Sequence, residues 1–190
     1  MSIVIVDSGG ANLTSIKNAF EKISSQAVVS IDENIISNAD YVILPGVGSA
    51  QMVMQSLISN NLVNVIKSLT QPVLGICVGM QILFNSSEEQ NCKCLGLIND
   101  DIKKFNLPKD KAVPHMGWNK VIFESEQLLS NYYYFANSYY APITKDTTGI
   151  CEYGIEFSAT VQKDNFFGCQ FHPEKSSNSG IKFIQNFLNY

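Results

Sequence analysis

The sequence predicts an α/β protein: one three-layer domain with a central, mostly parallel sheet and an antiparallel extension. Three observations predict it. Up to the region of Leu95, short β-branched runs alternate with amphipathic helical segments, the pattern of strands covered by helices on both faces. Beyond that point, strand-like runs follow one another across short turns, as antiparallel strands do. The chain has 190 residues, 45% of them apolar, which suits one domain with a substantial core. No repeat, low-complexity tract or linker interrupts it, so residues 1–190 read as a single domain.

Ile3–Asp7 is a short β-branched run that stops at Ser8-Gly9-Gly10, and it reads as a buried strand. Leu13, Ile16, Ala19, Phe20 and Ile23 then share one helical face, with Asn12 placed to cap it. Val28–Ile31 and Tyr41–Leu44 are the next strands, the second ended by Pro45-Gly46. Helical segments follow at Ala50–Ile58 and Leu62–Leu69. Pro72–Ile76 is a further buried strand running into Cys77 and then a helix. In the second half, Val121–Phe123, Tyr132–Phe135, Gly154–Val161 and Phe166–Phe171 read as strands, with a hairpin turn at Lys163-Asp164-Asn165. A last helix carries Ile181, Ile184, Phe187 and Leu188 on one face.

Charged residues are 16% of the chain, below the usual ~25%. That excludes a disordered chain and fits a surface partly covered by a partner. Thirteen basic against seventeen acidic residues leave a net charge of −4, the wrong sign for general nucleic-acid binding. Met1–Asp7 has no basic start, and no run approaches the ~18 to 20 apolar residues of a membrane span. Five cysteines (Cys77, Cys92, Cys94, Cys151, Cys169) have no framework spacing. A reduced, cytoplasmic setting and a reactive cysteine are therefore expected.

Gly75-Ile76-Cys77-Val78-Gly79 stands where a buried strand meets a helix, the arrangement of a nucleophile elbow. Glycines on both sides allow the sharp turn. A helix N-terminus favours thiolate, the reactive form. Taken alone, the pentapeptide suits a small buried cysteine between structural glycines equally well. The chain has two histidines, so the general base is easily sought. In Phe171-His172-Pro173-Glu174, Pro173 pushes His172 toward extended geometry, where residues 172 and 174 share a side. Glu174 can then orient His172 toward Cys77, giving nucleophile, base and orienter. Taken alone, the tripeptide suits a surface turn better. Pro45-Gly46-Val47-Gly48 follows a sheet strand, and its amides, with that of Val78, can supply an oxyanion hole. The order Cys…His…Glu is not the nucleophile…acid…His order of α/β-hydrolases.

Together these pieces resemble the class I (triad) glutamine amidotransferases. Gly75-Ile76-Cys77-Val78-Gly79-Met80-Gln81 and Phe171-His172-Pro173-Glu174 look like that class's two signatures, 95 positions apart from cysteine to histidine. Within the class the chain is most similar to glutaminase subunits of imidazole glycerol phosphate synthases. That similarity rests on Val113-Pro114-His115-Met116-Gly117-Trp118-Asn119, Pro45-Gly46-Val47-Gly48, Gln81-Ile82-Leu83-Phe84 with Ser87-Glu88-Glu89, Gly96-Leu97-Ile98 and His172-Pro173-Glu174-Lys175-Ser176. It runs from Ile3 to Leu188 and implies a flavodoxin-like core sheet.

By resemblance, Cys77, His172 and Glu174 are catalytic, and Val47, Gly48 and Val78 form the oxyanion hole. Gly46, Gln81, Asn137, Ser138 and Tyr139 bind glutamine, and no cofactor or metal is implied. The ammonia would enter a (β/α)8-barrel synthase subunit, forming a heterodimer in histidine biosynthesis, with His115, Trp118 and Asn119 toward that partner. The family's glutaminase is weak until the partner holds its nucleotide substrate, and the Pro45–Gly48 loop is the expected switch. The chain departs from the commoner pattern at Asp7–Leu13, at Ser49-Ala50 and at Asn137, where a histidine is more usual. None of these touches the triad. Other readings are a paralogous subunit feeding a sugar amidotransferase, a free-standing cysteine hydrolase, and an inactive partner-binding relative. Cys92-Lys93-Cys94 is too sparse a donor set for a metal site.

Overall fold

The computed structural model describes every residue except 10, 11, 24, 25, 47, 110 and 124–129. Its first half alternates strands and helices: β1 (Ile3–Val6), α1 (Leu13–Glu21), β2 (Ala27–Ser30), α2 (Glu33–Ser37), β3 (Tyr41–Leu44), α3 (Ala50–Ser59), α4 (Leu62–Ser68), β4 (Val73–Ile76) and α5 (Val78–Gln81). Helix starts are capped by side chains: Asn12, Asp32 and Ser49 each accept from backbone amides of the first turn. The second half is built mostly of strands: β5 (Phe84–Ser87), β6 (Cys92–Lys93), β7 (Ile98–Lys104), β8 (His115–Phe123), β9 (Asn131–Asn137), β10 (Tyr139–Tyr140), β11 (Thr147–Glu152), β12 (Glu156–Lys163) and β13 (Phe166–Cys169). Helix α6 (Ser177–Phe187) closes the chain.

Among the described residues, nine strands form the main sheet in the order β2-β1-β3-β4-β13-β12-β11-β8-β9. From β2 to β13 all neighbours are parallel, and from β13 to β9 all are antiparallel. The switch falls at β13, which runs parallel to β4 and forms a hairpin with β12 through Asp164. The expected mostly parallel core with an antiparallel extension is therefore what the chain forms. β1 and β4 are buried along their whole length, because helices cover both faces of the parallel part.

The register fixes what the sheet presents at one edge. Leu44 of β3 lies beside Gly75 of β4, and Ile76 of β4 lies beside Cys169 of β13. The loop after β3, the turn after β4 and the segment after β13 thus emerge side by side at the strands' carboxyl ends, where open α/β sheets carry their sites. The Cys77 amide extends the ladder one step further, donating to the Cys169 carbonyl at 2.8 Å.

Three features lie outside the expected elements. A second sheet, β10-β7-β5-β6, mixes one parallel and two antiparallel pairings. Its strands are short or carry consecutive polar residues, so period-two alternation hides them. β11 contains Gly149, which reads as a breaker. A Cβ there would come within 2.9 Å of the Phe123 ring, so the glycine admits the neighbouring strand's side chain. α2 is a helix of five residues, too short to show a period.

Candidate active site

Cys77 occupies the turn between β4 and α5 with φ 55° and ψ −110°. A side-chain-bearing residue rarely adopts that region. The glycines beside it are required by close approach. A Cβ on Gly79 would overlap the Leu44 carbonyl, and one on Gly75 would overlap Gly79. A Cβ on Gly46 would likewise run into Val78 and Gly79. The loop after β3 is thereby packed directly on the Cys77 turn. Its outer glycine, Gly48, has φ +90° and sits under the Met52 sulfur. The loop is also pinned at both ends: the Ser8 hydroxyl donates to the Pro45 carbonyl at 2.8 Å, and the Ala50 amide donates to a Glu89 carboxylate oxygen at 2.8 Å. Val47 lies outside the described residues.

His172 is buried and extended, with φ −96° and ψ 98°. Its segment is stitched to the middle of β9. The His172 amide donates to the Tyr134 carbonyl at 2.9 Å. The Ser176 hydroxyl donates to the His172 carbonyl at 2.7 Å and accepts from the Tyr134 amide at 2.9 Å. The extended geometry expected for 172–174 holds at His172 alone, because Pro173–Lys175 form a 3-10 turn. The turn still brings Glu174 Oε1 to 2.9 Å from His172 Nδ1. The charge of the ring is coupled to Cys77 as well as to Glu174. Burial opposes a charged imidazole, but the hydrogen bonds and negative charge of Cys77 and Glu174 outweigh it and hold His172 well above its ordinary range. The site therefore favours an imidazolium beside Cys77. Burial pushes Cys94 and Cys151 up to about 12 and raises Cys92 and Cys169 as well.

Cys77 opens into a cavity of about 210 Å³ lined by Gly48, Val78, Gln81, Glu89, Pro114 and the stretch from Ala136 to Tyr139. It is smaller than the ~300–1,000 Å³ pockets of drug-sized ligands and suits a small polar substrate. Of the residues expected at the substrate, Gln81, Asn137, Ser138 and Tyr139 line it, while Gly46 backs it from behind. Gln81 Nε2 and Asn137 Nδ2 both donate to the Tyr139 carbonyl, at 3.1 and 2.9 Å. That leaves Asn137 Oδ1 buried without a partner.

Sequence reasoning missed Gln170 and Glu89. Gln170 is fully buried, with Nε2 3.6 Å from Cys77 Sγ and Oε1 accepting from Gln81 Nε2 at 2.8 Å. The signal was present: in an extended run residues 170 and 172 face the same side.

The expected partner residues divide. Trp118 is half exposed. His115 is a correction: it is 3% exposed and stacked between Phe135 and Tyr153, because alternation along β8 turns odd positions to the core. Asn119 shares that side, with Nδ2 3.3 Å from His115 Nε2 and donating to the Glu152 carbonyl.

Comparison with known proteins bears on this geometry. The family model for glutamine amidotransferase class-I matches residues 4–189. An imidazole glycerol phosphate synthase subunit HisH from Shewanella sediminis is 46% identical, covering 98% of this chain and 90% of the relative. The subunit of that name from Escherichia coli is 45% identical over 99% of both chains. Among solved structures, a glutamine amidotransferase superposes with a TM-score of 0.78 at 13% identity, covering 98% of this chain and 97% of the other. A glutamine amidotransferase from Thermotoga maritima superposes with a TM-score of 0.63 at 13% identity, covering 100% of this chain and 83% of the other. At those identities the structures speak for the fold, and the sequence relatives speak for the family. The chain belongs to the class I glutamine amidotransferases, among the HisH subunits of imidazole glycerol phosphate synthase.

Proposed function

We propose that the chain hydrolyses glutamine to glutamate and ammonia at Cys77 and passes the ammonia to a (β/α)8-barrel synthase subunit in histidine biosynthesis. One observation carries the chemistry: a strained, glycine-flanked Cys77 whose charge is coupled to His172, the Nδ1 of which lies 2.9 Å from Glu174, beside a small polar cavity. The Cys77 thiolate attacks the carbon of the side-chain amide. The oxyanion that forms is met by the amides of Gly48 and Val78, and such a donor is typically worth ~10² to 10³ in rate. Imidazolium His172 gives its proton to the departing nitrogen, so ammonia leaves and a glutamyl thioester remains. Neutral His172 then takes a proton from water as it attacks the thioester, releasing glutamate and restoring the thiolate–imidazolium pair. Glu174 holds the ring throughout. Gln81, Asn137 and the Tyr139 backbone orient the substrate, with Asn137 Oδ1 free to accept an N–H.

The partner reading is supported by the outward face of β8 and β9. Met116, Trp118, Ile122 and Tyr132 are each more than half exposed, and Trp118 packs edge-on against Tyr134. Such a patch is larger than a lone surface side chain and marks an interaction surface. On the same face Ala136 reaches the cavity wall, so a partner seated here would lie next to where ammonia is released.

Cys77→Ser tests the chemistry. Glutamate release is expected to fall about 10³-fold or more, with the fold and partner binding retained. Hydrolysis persisting near the native rate would remove Cys77 from the mechanism.

A further inference from the structure

The helix that follows Cys77 is a single turn, Val78–Gln81. Few aligned peptides stand behind the sulfur, so a helix dipole contributes little to holding it charged. The chain of amides around it supplies another source. It begins at a main-chain carbonyl, that of Tyr139, which can only accept. Gln81 Nε2 lies 3.1 Å from that oxygen, so the Gln81 amide must point its NH₂ group there. The same nitrogen lies 2.8 Å from Gln170 Oε1. This fixes the second amide in turn: its oxygen faces Gln81, and its NH₂ faces Cys77 Sγ at 3.6 Å. Gln170 is wholly buried, and its backbone amide is held by the Ala159 carbonyl at 2.8 Å. The donor cannot swing toward water.

We propose that Gln170 acts on the nucleophile itself, as a fixed N–H donor to the Cys77 sulfur that favours thiolate over thiol and couples the sulfur to the substrate-orienting amide of Gln81. This rests on the reading of Cys77 as nucleophile and adds a third group to the two already assigned beside it. Gln170 Nε2 donates to the sulfur at 3.6 Å, and the charge of His172 is coupled to it. A thiolate accepts such bonds strongly and a thiol weakly, so the donor stabilises the charged form selectively. The other titratable groups facing the sulfur are His172, Glu174, Cys169 and, across the cavity, Glu89 and Tyr139.

The experiment follows iodoacetamide alkylation of Cys77 against pH, with the modified cysteine identified by peptide mass. It needs no glutamine turnover. Gln170→Met keeps the volume and loses the donor. Gln170→Glu keeps the shape and the acceptor for Gln81 but sets a carboxylate oxygen against the sulfur. The expected result is a rise in the alkylation midpoint of about one pH unit in Gln170→Met and more in Gln170→Glu, with kcat/KM for glutamine falling about 10- to 100-fold, chiefly through kcat. Superimposable alkylation profiles, with any loss confined to KM or to thermal stability, would reduce Gln170 to packing and overturn the proposal. A native Cys77 alkylated no faster than the other four cysteines would overturn the nucleophile assignment, and this inference with it.

Discussion

Cys77 is held at φ 55°, a conformation that costs a residue with a side chain ~1–3 kcal/mol. The strain persists because its neighbours over-determine it: its amide is bonded to β13, and its flanking glycines are packed against each other and against Leu44. At the same scale His115 shows the opposite design. Burial, with the charge of Lys111 adding, pushes its ring down to about 4 from 6.5. Between those values an unfolded chain binds the proton and the folded chain does not, so the folded state loses stability as pH falls from 6.5 toward 4. His115→Phe fits the stack of Phe135 and Tyr153 and removes the buried, unpartnered Nδ1. Chemical denaturation at pH 7 and pH 4.5 is expected to show a smaller loss on acidification in the variant than in the native protein. Equal losses would mean that His115 does not resist protonation.

At the scale of elements, the site is an intersection of three strand ends. β3, β4 and β13 are parallel neighbours, so their carboxyl ends bring Pro45 and Gly46, Cys77 and Gln170–His172 together without any long loop. Gly79 is the point at which α5 is pressed onto β3. Gly79→Ala is expected to destabilise the protein by about 3 kcal/mol, read as a lowered denaturant midpoint at unchanged slope. An unchanged midpoint would show that the turn can relax away from Leu44. The parallel part was legible because its strands are continuous β-branched runs and its helices carry clear apolar faces. The glycine-flanked turn at Cys77 and the approach of Glu174 to His172 were legible because glycines mark a sharp turn and a residue before proline is pushed toward extended geometry. Gln170 was legible only as a position on the same side as His172, since the direction of its amide depends on Gln81 and the Tyr139 carbonyl. The second sheet was not, since Phe84–Ser87 and Ile98–Lys104 pair through their backbones with polar side chains interspersed. The burial of His115 and the exposure of Trp118 followed from strand alternation, but only once β8 was seen to begin at His115.

For the whole molecule, the sheet has two functional ends with different roles. Its parallel half leads into Cys77 and His172, the proposed nucleophile and base. Its antiparallel half ends in β8 and β9, which present Met116, Trp118, Ile122 and Tyr132 outward while their backbone grips the His172 segment through Tyr134. A partner seated on that face would therefore touch the strand that holds the His172 segment. The arrangement accounts for a glutaminase built to work inside a larger assembly, and a charged content of only 16% fits a chain that covers part of its surface. The most direct test is glutamate release from glutamine by the purified chain alone, with a (β/α)8-barrel synthase subunit, and with that subunit plus its ribonucleotide substrate. The account predicts weak release alone and strong stimulation in the complete mixture, abolished by Cys77→Ser. Release that is equally fast in all three mixtures would contradict it.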